Sequence, residues 1–128
     1  MTTATIGTIS PCFIVRDIVP AISFYSEKLG FEEYFKAPDE DPFFAIVQRD
    51  NVMIFIKAVG VEPAPNHTRH QFAGWDAYVY VPDPDLLAAE FTERQVTFKA
   101  PLQDTDDGLR GFEIEDADGY VLFFGRPK

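Results

Sequence analysis

Only a few side chains in this sequence have acid–base, nucleophilic or metal-binding chemistry close at hand. His67 and His70 are the only histidines, three residues apart in a stretch without regular pattern. They lack the further converging donors that a metal site needs, and read as solvated loop histidines. Cys12, the single cysteine, has no base near it in the sequence and lies in a β-rich run, which suits a small half-buried core residue. Glu113, Glu115, Asp104, Asp106 and Asp107 could pair as acid and base, but no spacing sets two of them together, so a solvated acidic loop and strand edge is expected. Asp76 is more suggestive. It follows Trp75, and strand alternation puts it on one face with Tyr78 and Tyr80, while Ala77, Val79 and Val81 take the other. A carboxylate among rings can hold a flat or cationic molecule by stacking and charge. No glycine-rich phosphate loop, nucleophile elbow or Cys/His cluster is present.

These residues must be positioned by elements whose pattern occurs twice. Residues 9–16 are β-rich, Asp17 is placed to cap a helix, and Pro20 falls in its first turn. Ala21, Phe24, Tyr25 and Leu29 form one apolar stripe, and Gly30 suits the left-handed residue that ends it. Short strands follow at 32–37, 43–48 and 52–57. Residues 59–74, interrupted by two prolines, read as a linker. The pattern then restarts with a strand at 75–81 and a helix capped by Asp83 with Pro84 at its first position, striped by Leu87, Ala88 and Phe91. A short strand at 96–99, an acidic loop at 101–108, and strands at 110–115 and 120–124 complete it, the last two joined by the turn Asp116-Ala-Asp-Gly119. Adding 66 carries Val15-Arg16-Asp17 onto Val81-Pro82-Asp83, and adding 68 carries Asp50-Asn51-Val52 onto Asp118-Gly119-Tyr120. The chain is therefore expected to be one domain, 1–128, of two βαβββ modules (1–58 and 75–128) joined by the linker 59–74.

With 128 residues, 46% of them hydrophobic and thirteen of them Phe, the chain can build one aromatic core. A formal charge of −10 argues against nucleic acid and anionic membrane surfaces as partners and favours a cationic ligand, if any. The lone cysteine excludes an internal disulfide, and no apolar run approaches the roughly 20 residues of a membrane span. A cytoplasmic protein is expected.

The run Phe13-Ile-Val-Arg-Asp-Ile-Val-Pro-Ala-Ile-Ser-Phe-Tyr-Ser-Glu-Lys-Leu-Gly-Phe31, with Glu115-Asp-Ala-Asp-Gly-Tyr-Val-Leu-Phe-Phe124, resembles the vicinal oxygen chelate superfamily of glyoxalases, bleomycin-resistance proteins and extradiol dioxygenases. The second run departs from the common Asp-Pro-x-Gly-Asn by reading Asp-Ala-Asp-Gly-Tyr. The resemblance implies an α+β fold in which the tandem βαβββ repeat makes a cup-shaped open mixed sheet of eight strands, helices on its outer face, usually paired into a homodimer. In metal-dependent members the ligands stand seven residues before each capping Asp and on each last strand. Here those positions are Ser10, Asp76, Phe55 and Phe123, one good oxygen donor and no imidazole, so no metal and no cofactor is expected. The resemblance is closest to bleomycin-resistance proteins, and implies a metal-independent, non-catalytic binder that sequesters an aromatic or cationic compound. Its cup is expected to be lined by Ser10, Phe55, Trp75, Asp76, Tyr78 and Phe123. The rings could instead fill the cup themselves or lie in a dimer interface. A metal-dependent lyase, isomerase or dioxygenase of the same superfamily, and a small-molecule sensor or accessory domain, stand as alternatives.

Overall fold

The computed structural model describes all 128 residues, Met1–Lys128. Each half of the chain folds as βαβββ. The first contains β1 (Cys12–Ile14), α1 (Ile18–Glu27), β2 (Glu32–Ala37), β3 (Phe44–Arg49) and β4 (Val52–Lys57). A one-turn helix, α2 (Asn66–Arg69), interrupts the segment expected to be featureless. The second half contains β5 (Ala77–Tyr80), α3 (Pro84–Glu93), β6 (Phe98–Asp104), β7 (Leu109–Glu115) and β8 (Val121–Pro127). The fold is α+β with open mixed sheets, as the repeat implies.

Each module makes a four-stranded sheet of its own, ordered β1-β4-β3-β2 and β5-β8-β7-β6. No ladder joins β1 to β5, so the strands divide into two sheets of four in place of one of eight. Only the first strand pairs in parallel, Cys12 opposite Phe55 and Tyr78 opposite Phe123. Those pairs give offsets of 66 for the first strands and 68 for the last. The buried pairs Ala45/Val47 and Phe112/Ile114 give 67 for the third, so the drift accumulates one residue at a time.

The helices form for different local reasons. Asp83 Oδ1 accepts from Leu86 N at 3.1 Å, and Pro84 follows at the first helical position. Asp17 has the extended backbone of an N-cap, but its side chain makes no capping bond. Gly30 takes φ +73° after α1, and Phe31 N donates back to Tyr25 O, an ending that reverses the chain tightly into β2. Strand bounds shift where polarity misled. The sequence from 101 to 104, expected as acidic loop, extends β6, because Gln103 and Asp104 pair with Gly111 and Arg110 at an exposed edge. β1 and β5 are shorter than the β-rich runs that contain them.

One core serves both modules. Phe13, Val15, Ile54 and Ile56 cluster with Phe91, Phe112, Leu122 and Phe124. The turn between β7 and β8 crosses onto the first module. Phe13 and Tyr120 stack with centroids 4.3 Å apart, and Tyr25 Oη donates to Asp116 Oδ2 at 2.7 Å. Burial of Phe and Ile side chains at about 1.5–3 kcal/mol each is the main force holding the modules together. Where a strand commits one face to this core, its alternate residues occupy the open face.

Candidate functional site

Alternation places Tyr78, Tyr80, Glu113 and Phe123 on the open face of the second sheet. Phe123 is only 3% exposed although it faces outward. Its ring lies against two glycines paired across β7 and β8, Gly111 and Gly125. A Cβ on Gly111 would come within 2.7 Å of the ring edge and 2.3 Å of Phe124 O, and one on Gly125 within 2.5 Å of both the ring edge and Arg110 O. The strands can approach, and the ring lie down, only where side chains are missing. Tyr78 stacks on Phe123 at 5.8 Å and 11°, and its hydroxyl donates to Gly125 O at 3.3 Å. Trp75 closes the group, 5.8 Å from Tyr78 and 6.0 Å from Phe123. Trp75, Tyr78 and Phe123 thus form a three-ring shelf whose outer surface is Trp75 and Tyr78. Desolvation raises the Tyr78 phenol above its usual pKa, with a smaller push from Tyr80.

Asp76 does not act as a free counter-charge there. Oδ1 accepts from Asn66 N and Oδ2 from Val121 N, each at 2.8 Å. The carboxylate clasps the start of α2 to the start of β8, while Asn66 Nδ2 donates to Trp75 O at 3.3 Å. Asp76, expected to carry a ligand-facing charge, has each oxygen held by a backbone amide. The carboxylate beside the rings is Glu113, directly opposite Phe123 across β7 and β8 and half-buried. Lys99 pairs with Glu115 at 3.3 Å, leaving Glu113 without an ion-pair partner. The sequence left the register one residue off: counted outward from a four-residue turn at Asp116–Gly119, Glu113 would face Leu122, and it is the five-residue turn 116–120 that sets it against Phe123.

Phe55 and Ser10 belong elsewhere. Phe55 lies on the open face of the first sheet, its ring 5.9 Å from Phe44 and on a different sheet from Phe123. Ser10 precedes β1 at intermediate exposure. The chain by itself does not bring the two last-strand phenylalanines together. Cys12, opposite Phe55, is exposed and not half-buried. His67 is held, not solvated, its Nε2 2.7 Å from Gly119 O, while His70 is exposed. The donor set at Ser10, Phe55, Asp76 and Phe123 does not fit a divalent ion. Two members are phenyl rings, and the one carboxylate is already bonded to two amides.

A separate cleft of about 920 Å³ opens between the modules, bounded by β5, α3, the β3–β4 turn and the arm Gly7–Pro11. Tyr78 and Tyr80 border it along the edge of β5, so it adjoins the shelf. No helix is long and apolar enough to cross a membrane.

Two βαβββ modules sharing one core, each with an open sheet face, define a class of paired-module α+β proteins. The chain belongs to the Glyoxalase/Bleomycin resistance protein/Dioxygenase superfamily, whose family model matches residues 5–124. The fold is similar to that of the bleomycin-binding protein from bleomycin-producing Streptomyces verticillus, solved with copper(II)-bleomycin. Identity is 23% over 98% of this chain and 100% of that one, with a TM-score of 0.72. It is similar also to TioX from Micromonospora sp. ML1, at 21% identity over 95% and 100% with a TM-score of 0.72. A glyoxalase-related enzyme from Clostridium phytofermentans gives 15% over 98% of each chain and a TM-score of 0.76. No curated protein matches the sequence.

Proposed function

We propose that this protein is a metal-independent binder that sequesters an aromatic, positively charged small molecule, as in bleomycin-type antibiotic resistance. The observation that carries the reading is the Trp75–Tyr78–Phe123 shelf with the unpaired Glu113 beside it. A planar ring would stack on Trp75 and Tyr78, and its cation would approach Glu113. The net charge of −10 would speed the encounter. No bond is made or broken in this reading. The protein acts in the cytoplasm as a homodimer, whose second copy covers apolar surface such as Phe35, Phe43 and Tyr80, each 48–61% exposed. Phe55, Ser10 and Phe123 would then line the ligand site jointly, across the two copies.

The test is a titration of Trp75 fluorescence with a cationic aromatic compound and its neutral isostere. Glu113→Gln is expected to weaken the cation by about tenfold or more, since a charge-assisted contact contributes about 1.5–3 kcal/mol, and to leave the neutral ligand unchanged. Tyr78→Ala is expected to weaken both. Equal loss of both ligands in Glu113→Gln would end the electrostatic part of the reading. Stoichiometric metal in protein purified without added metal would end the metal-independent part, and sedimentation as a monomer at about 50 μM, well below the millimolar range of weak contacts, would end the dimer.

A further inference from the structure

The internal repeat creates two equivalent junctions between the modules, and they are filled very differently. At the first, the five-residue turn 116–120 packs on β1 and α1. Tyr120 stacks on Phe13, and Asp116 binds Tyr25, all four buried. The repeat offsets give the counterpart of each. Tyr120 corresponds to Val52 (120 − 68), Phe13 to Val79 (13 + 66), and Tyr25 to Phe91 (25 + 66). The counterpart of the turn is only Asp50-Asn51, two residues between β3 and β4. At the second junction two valines and a tight turn therefore stand where the first has two aromatic rings and a long turn. Val52 and Val79 are only partly buried, and the space they leave is the cleft of about 920 Å³. The fold does not require this void, because the same fold closes it at the other junction.

The cleft has the size and wall chemistry of a small-molecule site. Its volume lies within the range of about 300–1,000 Å³ usual for such sites. Val52, Ile54, Val79, Leu87 and Phe91 give it apolar walls, and its charged groups stand around them. Glu90 is bonded to Arg49 at 2.7 and 2.9 Å and to Arg94 at 2.9 Å, and Asp83 caps α3. Asp50, with an 89% exposed side chain and 3.9 Å from Arg49 Nε, stands beside the entrance. Three carboxylates against two guanidiniums, both of them drawn to Glu90, disfavour an anion there. We propose that this cleft is a second ligand site, distinct from the aromatic shelf, for an apolar ring compound carrying no negative charge, held where the Tyr120 ring lies in the other junction.

The decisive variant copies the filled junction into the open one. Val52→Tyr with Val79→Phe recreates the Tyr120–Phe13 pair, and Val52→Phe alone is the milder version should the double variant not fold. The probes are Nile red, which is neutral, and anilinonaphthalene sulfonate, which is anionic. Wild-type protein is expected to bind Nile red at one site per chain, and the sulfonate at least about tenfold more weakly. The filled variant is expected to lose Nile red affinity by at least about tenfold, with a melting temperature at or above that of wild type. The shelf titration, run on the same variant with the cationic compound, should not change, so failure at one site is distinguishable from failure at the other. Undiminished Nile red binding in a folded, filled variant would overturn the proposal, as would no binding by wild type or preferential binding of the sulfonate. Conversion of a dimer to a monomer by filling would also overturn it, since the cleft would then be an interface between copies.

Discussion

Asp76 shows how one residue can keep a position while changing its work. The family pattern puts a metal ligand there, and the residue is a carboxylate, but its two oxygens receive Asn66 N and Val121 N. Asp76→Asn retains one acceptor and sets an N–H against the other amide, so about 1–3 kcal/mol of stability should be lost in denaturant titration. If Asp76 positions Trp75, the variant should shift Trp75 emission without ligand and weaken cationic and neutral ligands alike. Asn66→Pro, which fits the first helical position after the extended Pro65, removes the same donor and should do likewise. A loss confined to the cation would restore a direct role. Asp116 poses the opposite case. Burial, its largest influence, pushes the carboxyl from 3.8 to about 6, against the hydrogen bonds from Tyr25, Asp118 and Tyr120. The folded form therefore holds the proton more tightly than the unfolded chain. Its contribution to stability is greatest below pH 4 and is lost as pH rises through about 6, an interval worth on the order of 3 kcal/mol. In Asp116→Asn, Oδ1 can still receive both amides and Nδ2 can donate to Tyr25. The difference in stability between variant and wild type should therefore grow in the variant's favour from pH 4 to 7. A difference independent of pH would remove Asp116 as the cause.

At the scale of the element, the two helices are a natural comparison, equal in length and 66 residues apart, with an aspartate before each. Asp83 caps and Asp17 does not. Asp83→Ala should cost about 1 kcal/mol by thermal melting, while Asp17→Ala should fall within about 0.5 kcal/mol of wild type. Equal costs would mean that both side chains cap in solution. Much of this was legible beforehand. Asp83-Pro84 and Gly30 announce helix ends through local chemistry, and alternation along 76–81 assigned the faces correctly, because a strand has only two. What could not be read was pairing at a distance. The division into two sheets depends on where β1 and β5 lie relative to each other, which no local pattern encodes. Asp76 looked available because its partners are backbone amides, one ten residues back at Asn66 and the other forty-five residues ahead at Val121. The glycines beneath Phe123 could have been noticed as a pair only once the hairpin register was counted.

For the whole molecule, the unequal junctions decide how the modules depend on each other. The tight one holds the Tyr120–Phe13 stack, the donation from Tyr120 Oη to Ile14 O at 2.6 Å and the Tyr25–Asp116 bond. The open one is bridged chiefly by Arg49, which donates to both oxygens of Glu90 and, at 2.9 Å, to Leu29 O. That pair is about one-third exposed on each side, and solvent-screened pairs contribute about 0–1 kcal/mol even with good geometry. Stability should therefore reside in the aromatic junction. Tyr120→Val puts into that junction the residue the other already has. It removes a buried ring and leaves Ile14 O without its donor, a loss of about 3 kcal/mol, which for a chain of this size lowers the melting temperature by roughly 10 °C. Arg49→Met should lower it by no more than a few degrees. Because the core clusters residues of both modules, each variant should still melt in one transition by circular dichroism and by Trp75 fluorescence together. Trp75 lies in the second module. If its fluorescence melted apart from the total helix signal in Tyr120→Val alone, that junction would be what makes the two modules fold as one. If the two signals separated in wild-type protein as well, the modules would be independent and the shared core would not be cooperative.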